Sequence, residues 1–234
     1  MNTITQKAIA LLESRLAKTA TVLAVRVWEP ATFREIDLHM PGCDMSKWSQ
    51  TQHMKCKVGP LTYRDYTPSG WDAETQTCTL FIDAAHDGPG SRWVKSLHPG
   101  DTLAYLGVAS SHQRPVPDKR LVLLGDETAI GYFFALQQLA DSATAICGAV
   151  AIAEQHHRDE FAQYFSRLGL TPLGKNASGD YRALEDWVSG LTIADASNTI
   201  FYLAGYTPAV VRLRKYLKKK GYEGGQIKAQ GFWN

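Results

Sequence analysis

The sequence predicts two domains: an N-terminal antiparallel β-barrel of six strands, followed by a C-terminal α/β domain with a doubly wound parallel sheet. Three observations predict this organisation. Short β-rich segments separated by turn residues occupy positions 21–106, whereas buried apolar segments alternate with amphipathic ones from position 121 onward. Between them, residues 110–119 contain Pro115 and Pro117, which interrupt both periodicities and mark a linker.

Residues 1–115 supply the barrel and a helix that precedes it. Residues 1–18 place apolar side chains at helical spacing between charged ones, and this pattern predicts an N-terminal amphipathic helix. The β-rich segments that follow are short and closely spaced, as in small antiparallel barrels. The predicted strands span residues 21–28, 34–40, 53–58, 61–66, 77–84 and 102–106.

Residues 116–234 form the predicted α/β domain. Its buried apolar and amphipathic segments span residues 121–124, 129–139, 145–152, 158–168, 181–188, 199–204 and 210–219. This alternation is typical of a parallel sheet with helices on both faces. Such sheets bind ligands at the carboxyl ends of their strands, so functional residues are expected there.

Composition and charge exclude several classes of protein. The 234 residues are 44% apolar and 21% charged, with a net charge of +2, as in an ordinary soluble globular protein. The longest nearly apolar run, residues 143–153, is far shorter than the roughly 20 residues of a membrane span. The N-terminus lacks the apolar block of a signal peptide, so we expect a cytoplasmic protein without a membrane span. No nucleic-acid recognition motif accompanies the basic residues, so no nucleic-acid partner is expected.

The cysteines predict no metal centre. They are widely separated and form no Cys-x-x-Cys pair, which argues against a zinc site, an iron–sulfur cluster or a disulfide framework. We interpret all of them as reduced thiols. They are Cys43, Cys56, Cys78 and Cys147.

A first candidate binding motif lies at the end of the fourth predicted strand. Arg64 and Tyr66 alternate along the strand and so project from one face, where a guanidinium can bind a phosphate while a phenol ring packs along the same ligand. Thr67 follows and offers a hydroxyl, and Pro68 then breaks the strand direction. The alternative interpretation is an edge strand with a solvated arginine and a core tyrosine.

A second motif follows the fifth predicted strand. Asp83 and His86 precede a Gly-Pro-Gly turn that ends at Gly90, and Ser91 is the predicted N-cap of a short helix that runs to Leu97. Free backbone N–H groups at such a helix start suit a pyrophosphate. The alternative is a capped connector without a ligand.

These motifs together resemble the siderophore-interacting proteins, a family of FAD-dependent ferric-siderophore reductases related to ferredoxin–NADP reductases. The resemblance includes Arg-x-Tyr-Thr, a spacer with Trp71 and Asp72, and Asp-x-x-His-x-Gly-Pro-Gly-Ser-x-Trp. Further downstream, residues 123–129 resemble the family's Gly-Asp-Glu-Thr-Ala turn, residues 203–205 its later Ala-Gly turn, and residues 231–233 its aromatic C-terminus. The matches occur in order across nearly the whole chain.

The resemblance implies two cofactor sites and no catalytic side chain, because the flavin mediates the electron transfer. Thr67 would lie near the flavin ring, Gly90 and Ser91 would bind the pyrophosphate, and Trp233 would cover part of the flavin. The residues implied for FAD are Arg64, Tyr66, Thr67, Asp83, His86, Gly90, Ser91 and Trp233. Those implied for the nicotinamide nucleotide are Gly125, Asp126, Glu127, Thr128 and Gly205. Asp126 and Thr128 are also both able to cap a helix at the carboxyl edge of the sheet.

The choice between NADH and NADPH stays open in the sequence. Glu154 follows a predicted strand and can accept a bond from a ribose hydroxyl, which favours NADH. His156, His157 and Arg158 come next and can hold the 2′-phosphate of NADPH. A solvated, charged helix start explains all of these residues equally well.

The C-terminal segment is strongly basic. After position 205 the chain has seven Lys or Arg residues and one acid, Glu223. Lys215, Lys218 and Lys219 are candidates to attract an anionic ferric siderophore, and the same face can dock an acidic ferredoxin. A solvated helix face is the alternative.

We therefore expect a reductase that binds FAD and NADH or NADPH, and that reduces a ferric siderophore or other ferric chelate to release Fe(II). Protein ligands for a metal are not expected. Two alternatives stay open: a member driven by ferredoxin that uses NAD(P)H poorly, and a carrier that binds a siderophore or flavin without turnover.

Overall fold

The computed structural model describes residues 17–175, 181–193 and 195–234. The described residues divide into two compact units: one contains residues 17–27 together with Ala31–His112, and the other contains Trp28–Pro30 together with the described part of 113–234. The boundary after His112 lies in the region that the sequence predicts as a linker. The predicted N-terminal helix lies outside the described residues, except for its last two positions.

Among its described residues, the first unit contains seven strands and one α-helix. The alternating burial of the third strand, in which Met54 and Cys56 face the core, shows why these segments form half-buried strands. The strands are β1 (Lys18–Trp28), β2 (Phe33–His39), β3 (Gln52–Gly59), β4 (Thr62–Tyr66), β5 (Ser69–Asp72), β6 (Thr77–Asp83) and β7 (Thr102–Ser110), and helix α1 spans Pro89–Lys95.

These strands form one antiparallel sheet in the order β4-β3-β7-β1-β2-β6-β5. All of them contribute to a single apolar core, as expected of a barrel-like sheet that curls around its interior. The predicted antiparallel fold is therefore confirmed, but the count of six strands was wrong. Strand β5 was missed because it is four residues long and contains Gly70, and only its pairing with β6 and the packing of Trp71 on the core define it.

The second unit contains five strands and five α-helices among its described residues. The strands are β8 (Arg120–Asp126), β9 (Ile146–Ile152), β10 (Leu170–Gly174), β11 (Thr199–Tyr206) and β12 (Ile227–Trp233). The helices are α2 (Ile130–Leu139), α3 (Gln155–Asp159), α4 (Phe161–Tyr164), α5 (Arg182–Gly190) and α6 (Thr207–Lys219).

The five strands pair in parallel in the order β10-β9-β8-β11-β12. Val122 and Leu124 join a core with α5 and α6, whereas Leu121 and Leu123 are completely buried on the opposite face. The predicted doubly wound sheet is confirmed. The order of the strands reverses between β8 and β11, so the carboxyl ends of these two strands flank the expected ligand-binding crevice.

Three details of this unit differ from the prediction. The predicted helix 158–168 is replaced by the short helices α3 and α4, because Phe161 and Tyr164 turn towards the ring of Trp28. Strand β10, which contains Pro172, and strand β12 were not predicted. Both are edge strands with mixed burial, which leaves no long apolar run in the sequence.

The residues that the structure describes include no helix with the length and apolar character needed to span a membrane. The same residues contain no group of three or more His, Cys, Asp or Glu side chains arranged to hold a metal ion. All four cysteines are free thiols, and burial raises the pKa of Cys43, Cys56 and Cys78.

Candidate functional site

In the first unit, the two predicted FAD motifs meet where Tyr66 contacts the start of helix α1. A Cβ atom added to Gly90 would lie 2.6 Å from the Tyr66 hydroxyl oxygen and 3.5 Å from Cγ of Arg64. The Tyr66 ring also stacks on Trp93, three residues further along α1, with 5.7 Å between the ring centroids. The absence of a side chain at Gly90 therefore lets α1 pack directly on the end of β4.

Several hydrogen-bonding groups at this junction have no side-chain partner among the described residues. The exposed Arg64 guanidinium donates only to the carbonyl of Tyr63, at 2.8 Å, and forms no ion pair with a described residue. The hydroxyls of Tyr66, Thr67 and Ser91 likewise form no hydrogen bond with described residues. Burial raises the pKa of Tyr66, so its phenol stays a neutral donor at physiological pH.

The start of α1 differs from the prediction. The N-cap residue is Gly88, with Pro89 in the first turn, and Ser91 lies inside the helix. The prediction of Ser91 as N-cap was therefore wrong. Proline has a fixed φ that suits the first helical position, so the helix begins at Pro89, two residues before Ser91. Gly88 is the N-cap, although it has no side chain to cap the helix. The N–H groups of Gly90 and Ser91 lie in the first turn, where no helical carbonyl can accept from them.

Asp83 and His86 form a pair just before α1. Nε2 of His86 lies 3.3 Å from one carboxylate oxygen of Asp83, while the other oxygen accepts from the backbone N–H of Ala85 at 2.9 Å. The Asp83 side chain is nearly buried, whereas that of His86 is largely exposed. Asp83 therefore holds the loop and orients the imidazole.

This donor set fits a dinucleotide with a pyrophosphate and an aromatic ring system. A forked guanidinium, two helix-start N–H groups and neutral hydroxyls all favour an anion, and none of them is consumed by another side chain. The junction of β4 and α1 can therefore hold FAD with Arg64, Tyr66, Thr67, Gly90 and Ser91.

In the second unit, the buried carboxylate of Asp126 joins the ends of β8 and β11. One of its oxygens accepts from the backbone N–H of Thr128, at 3.0 Å, and from the Thr128 hydroxyl. The other accepts from the backbone N–H of Tyr206, at 2.8 Å, and from the Tyr181 hydroxyl, at 3.3 Å. Asp126 is 1% exposed. The predicted capping role of Asp126 is confirmed, whereas Thr128 acts as a donor.

Two glycines make room for this arrangement. Gly205 has φ = +114°, and an added Cβ would lie 2.6 Å from the carboxyl carbon of Asp126. At Gly125, an added Cβ would lie 2.3 Å from the carbonyl oxygen of Ala204. Both glycines are therefore required by close packing at the crevice between β8 and β11.

The pKa of the Asp126 carboxyl is raised above its ordinary value, and its partners offset only part of the effect of burial. Burial raises the pKa of the carboxyl, while the bonds donated by Thr128 and Tyr206 and the charge of Lys175 oppose that shift. Lys175 itself pairs with Glu127, with 2.9 Å between Nζ and the carboxylate oxygen. The ion pair is largely buried, since the Lys175 side chain is 12% exposed.

Aromatic rings surround this lysine at the carboxyl edge of the sheet. The Lys175 ammonium lies 5.9 Å from the ring centroids of both Tyr181 and Trp233. Tyr206 stacks on Tyr181 at 5.8 Å and contacts the Trp233 ring at 4.5 Å. The sequence did not indicate Lys175 or Tyr181 as site residues. Lys175 directly follows β10, an edge strand that was not predicted, and Tyr181 is brought to Asp126 and Lys175 only by the fold.

The predicted nicotinamide residues are thus brought together, but not all of them are open to a ligand. Gly125, Asp126, Thr128 and Gly205 meet at the crevice through the Asp126 carboxylate, and Glu127 is directed to Lys175. Trp233 lies in the aromatic cluster with Tyr206. Its assignment to the flavin stays a prediction.

The candidate substrate lysines are exposed on α6. Lys215, Lys218 and Lys219 form no ion pair with described residues. Arg212 on the same helix differs, because it binds the carboxylate of Glu185 through two nitrogens, at 2.7 and 3.1 Å. Val210, Leu213 and Leu217 are buried against the sheet, so the free lysines leave a strongly positive outer face.

Comparison with known proteins agrees with this architecture. Residues 118–234 match the family model described as "Siderophore-interacting protein", which covers half of the chain. A search of curated protein sequences finds no match.

Solved structures share the fold across both units. The siderophore-interacting protein of Acinetobacter baumannii has a TM-score of 0.74 and 14% identity, with 93% of this chain and 90% of that chain covered. A siderophore utilization protein from T. fusca has a TM-score of 0.72 and 21% identity, with 93% and 92% covered. The ferredoxin reductase in carbazole 1,9a-dioxygenase has a TM-score of 0.75 and 16% identity, with 92% and 69% covered. The ferredoxin reductase-like fold is thereby established.

Replacing Gly90 by alanine should disrupt the junction of β4 and α1. The new methyl group would collide with the Tyr66 hydroxyl, and we expect the free energy of unfolding of the first unit to fall by about 1–3 kcal/mol. Gly88→Ala is the matched control, because no atom lies within 4 Å of its added Cβ. Urea denaturation followed by tryptophan fluorescence measures both variants. Equal stability of the two would contradict this packing.

Replacing Gly205 by alanine should lower the free energy of unfolding of the second unit by more than the backbone strain of a positive φ alone would. Gly221→Ala is the control, since Gly221 has φ = +95° but open space around its added Cβ. We expect Gly205→Ala to cost at least about 2 kcal/mol more than Gly221→Ala, because the methyl group must displace the Asp126 carboxylate. Chemical denaturation monitored by circular dichroism tests this. Similar costs would show that the carboxylate moves freely.

Proposed function

Because the chain belongs to the siderophore-interacting protein family, we propose that it is an FAD-containing, NAD(P)H-dependent reductase of ferric siderophores and other ferric chelates. FAD, held by Arg64, Tyr66, Thr67, Gly90 and Ser91, would supply the redox chemistry that couples a two-electron hydride donor, NAD(P)H, to two ferric ions that each take one electron. Fe(II) is bound by siderophores far more weakly than Fe(III), so reduction releases the metal for use in the cell.

The junction of β4 and α1 is the observation that carries the proposal. Arg64, which donates only to the Tyr63 carbonyl, and the N–H groups of Gly90 and Ser91 lie near the Tyr66 ring, and they would hold the pyrophosphate. Thr67 would donate to the flavin ring at the end of β4. His86, oriented by Asp83, would contact the same cofactor from the loop before α1.

The crevice between β8 and β11 would receive the nicotinamide nucleotide. Asp126 acts there as a positioning residue, because its oxygens already accept bonds from Thr128, Tyr206 and Tyr181. It holds the turn at residues 125–128 beside Gly205, so that backbone groups rather than a charged side chain meet the ligand. Lys175 balances the charge of Glu127 at this edge.

No side chain needs to act as a nucleophile or a general acid. Electron transfer to the chelated iron leaves the iron's own ligands in place, so the protein binds the chelate without coordinating the metal. The lysines of α6 would attract an anionic ferric siderophore by long-range electrostatics, which raises the local substrate concentration.

A ferredoxin-driven reductase that uses NAD(P)H poorly is the second candidate. The observation in its favour is the unpaired positive face of α6, which complements an acidic protein as well as an anionic chelate. Stopped-flow reduction with NADH, NADPH and reduced ferredoxin separates these donors. A carrier without turnover is the remaining alternative, and repeated bleaching and recovery of flavin colour would exclude it.

The visible absorption spectrum of the purified protein is the primary test. Bands at roughly 370 and 450 nm indicate bound oxidised flavin. Anaerobic NAD(P)H should bleach them, and a ferric siderophore should restore them over several cycles. A colourless protein that does not bind added FAD would overturn the proposal.

Arg64→Ala should yield protein purified largely without FAD, because the cation that faces the pyrophosphate is lost. We expect affinity for added FAD to fall at least about tenfold, the worth of one charge-assisted bond. Lys55→Ala is the control: Lys55 pairs across the strands with Asp65, and Arg64 lies one position along, on the opposite face. The ratio of absorbance at 450 and 280 nm reports occupancy. Full occupancy in Arg64→Ala would remove Arg64 from the site.

Replacing Lys215, Lys218 and Lys219 together by alanine should raise the KM for an anionic ferric chelate about three- to tenfold and weaken its dependence on salt. Arg212→Ala provides a control on the same helix, since its charge is already neutralised by Glu185. Initial rates at several ionic strengths measure the effect. An unchanged KM would identify these lysines as a solvated surface.

A further inference from the structure

The end of strand β9 carries the groups that decide which nicotinamide nucleotide fits. Strand β8, helix α2 and strand β9 form the first βαβ unit of the parallel sheet, and β9 ends at Ile152. In such units, the residue just beyond the second strand meets the adenosine ribose: an acidic residue binds the 2′-hydroxyl of NADH, and an arginine binds the 2′-phosphate of NADPH. Here Glu154 and Arg158 both lie beyond the strand, so their surroundings must decide.

Arg158 is committed to the protein itself. One terminal nitrogen of its guanidinium donates to the carbonyl oxygens of Ile152 and Ala153, each at 2.7 Å. The other terminal nitrogen donates to the side chain of Gln155. The guanidinium therefore binds the backbone at the end of β9. Both of its terminal nitrogens already donate to protein oxygens, so they are not directed towards a phosphate.

His157 also faces inward. Its side chain is 3% exposed, its ring meets Trp28 edge-on at 5.5 Å, and Nε2 lies 3.3 Å from the Trp28 carbonyl oxygen. A buried imidazole in these contacts cannot reach a phosphate in solution. Of the three bases that follow Glu154, only His156 is exposed.

Glu154 retains acceptor capacity and an uncompensated charge. Its side chain accepts one weak bond from the backbone N–H of His156, at 3.4 Å, as the N-cap of α3. No cation among the described residues lies within ion-pair distance of it. A carboxylate offers about four acceptor positions, so Glu154 can still accept from a diol.

We propose that Glu154 makes this site selective for NADH over NADPH. Its carboxylate accepts a hydrogen bond from the ribose hydroxyls of NADH and repels the 2′-phosphate of NADPH. The inference rests on the proposed function, because it assumes that the crevice between β8 and β11 receives a nicotinamide nucleotide. It goes further by naming the nucleotide and the residue that selects it.

The test uses oxidised nucleotides, which bind without reducing the flavin. Calorimetric titration of the holoprotein with NAD⁺ and NADP⁺ should give a Kd at least about tenfold lower for NAD⁺, the effect of one charge-assisted bond. Raising the salt concentration should narrow this difference, because the repulsion between Glu154 and the 2′-phosphate is screened.

Two matched variants identify the residue responsible. Glu154→Gln keeps an oxygen that can cap α3 but removes the charge, and we expect the ratio of the two Kd values to fall about tenfold. Asp159→Asn removes a carboxylate from the other end of the same helix, where Gln155 contacts it at 2.6 Å, and should leave the ratio within about twofold. Both variants should keep the wild-type melting temperature.

The outcomes separate the inference from the proposed function. Equal or tighter binding of NADP⁺, no binding of either nucleotide, or an unchanged ratio in Glu154→Gln would overturn the inference. Selective binding of NAD⁺ without any reduction of the flavin by NADH would support the inference and overturn the NADH-driven reductase. Selective binding accompanied by flavin reduction supports both.

Discussion

The buried carboxylate of Asp126 is the interaction on which the second unit's candidate site depends. Removing a carboxylate from water costs several kcal/mol, and the cost is offset only if its oxygens accept well-placed hydrogen bonds. Asp126 accepts them from the turn after β8, the end of β11 and the start of α5. One side chain thereby connects segments that are far apart in the chain. Its position also requires a glycine at 205, because a side chain there would collide with the carboxylate.

In the first unit, an aromatic side chain rather than a carboxylate holds two distant segments together. Tyr66 fills the space that a side chain at Gly90 would take and stacks on Trp93, so the start of α1 is held against the end of β4. The Tyr66 ring is used in packing, whereas the polar groups around it are not. Arg64, Thr67 and Ser91 remain available around the contact, which is what a site for an anionic cofactor requires. In both units, a glycine allows a polar side chain from a distant segment to pack directly against the backbone.

Burial decides what each charged residue can do. Lys175 and Arg158 are cations near the carboxyl edge, yet the first is neutralised by Glu127 between aromatic rings and the second is bound to backbone carbonyls. Lys215, Lys218 and Lys219 of α6 are exposed and form no ion pair with described residues, so their charges contribute to a long-range field. The net charge of +2 does not distinguish paired, buried cations from exposed, unpaired ones. A count of charges cannot reveal this difference, because pairing depends on which segments meet.

Local sequence patterns determined the fold class, most strands and the positions of the candidate binding motifs, which the family resemblance then assigned to FAD. Alternating burial in β3 and the apolar run of β8 are properties of neighbouring residues, so they can be recognised from spacing alone. The tertiary structure decided the features that depend on distant partners. Edge strands β5, β10 and β12 exist because a neighbouring strand pairs with them, and the first turn of α1 begins at Gly88 rather than Ser91. The contacts that bind Arg158 to backbone carbonyls were likewise decided by the tertiary structure, since the same residue type serves as a structural bond or as a binding group according to what packs against it.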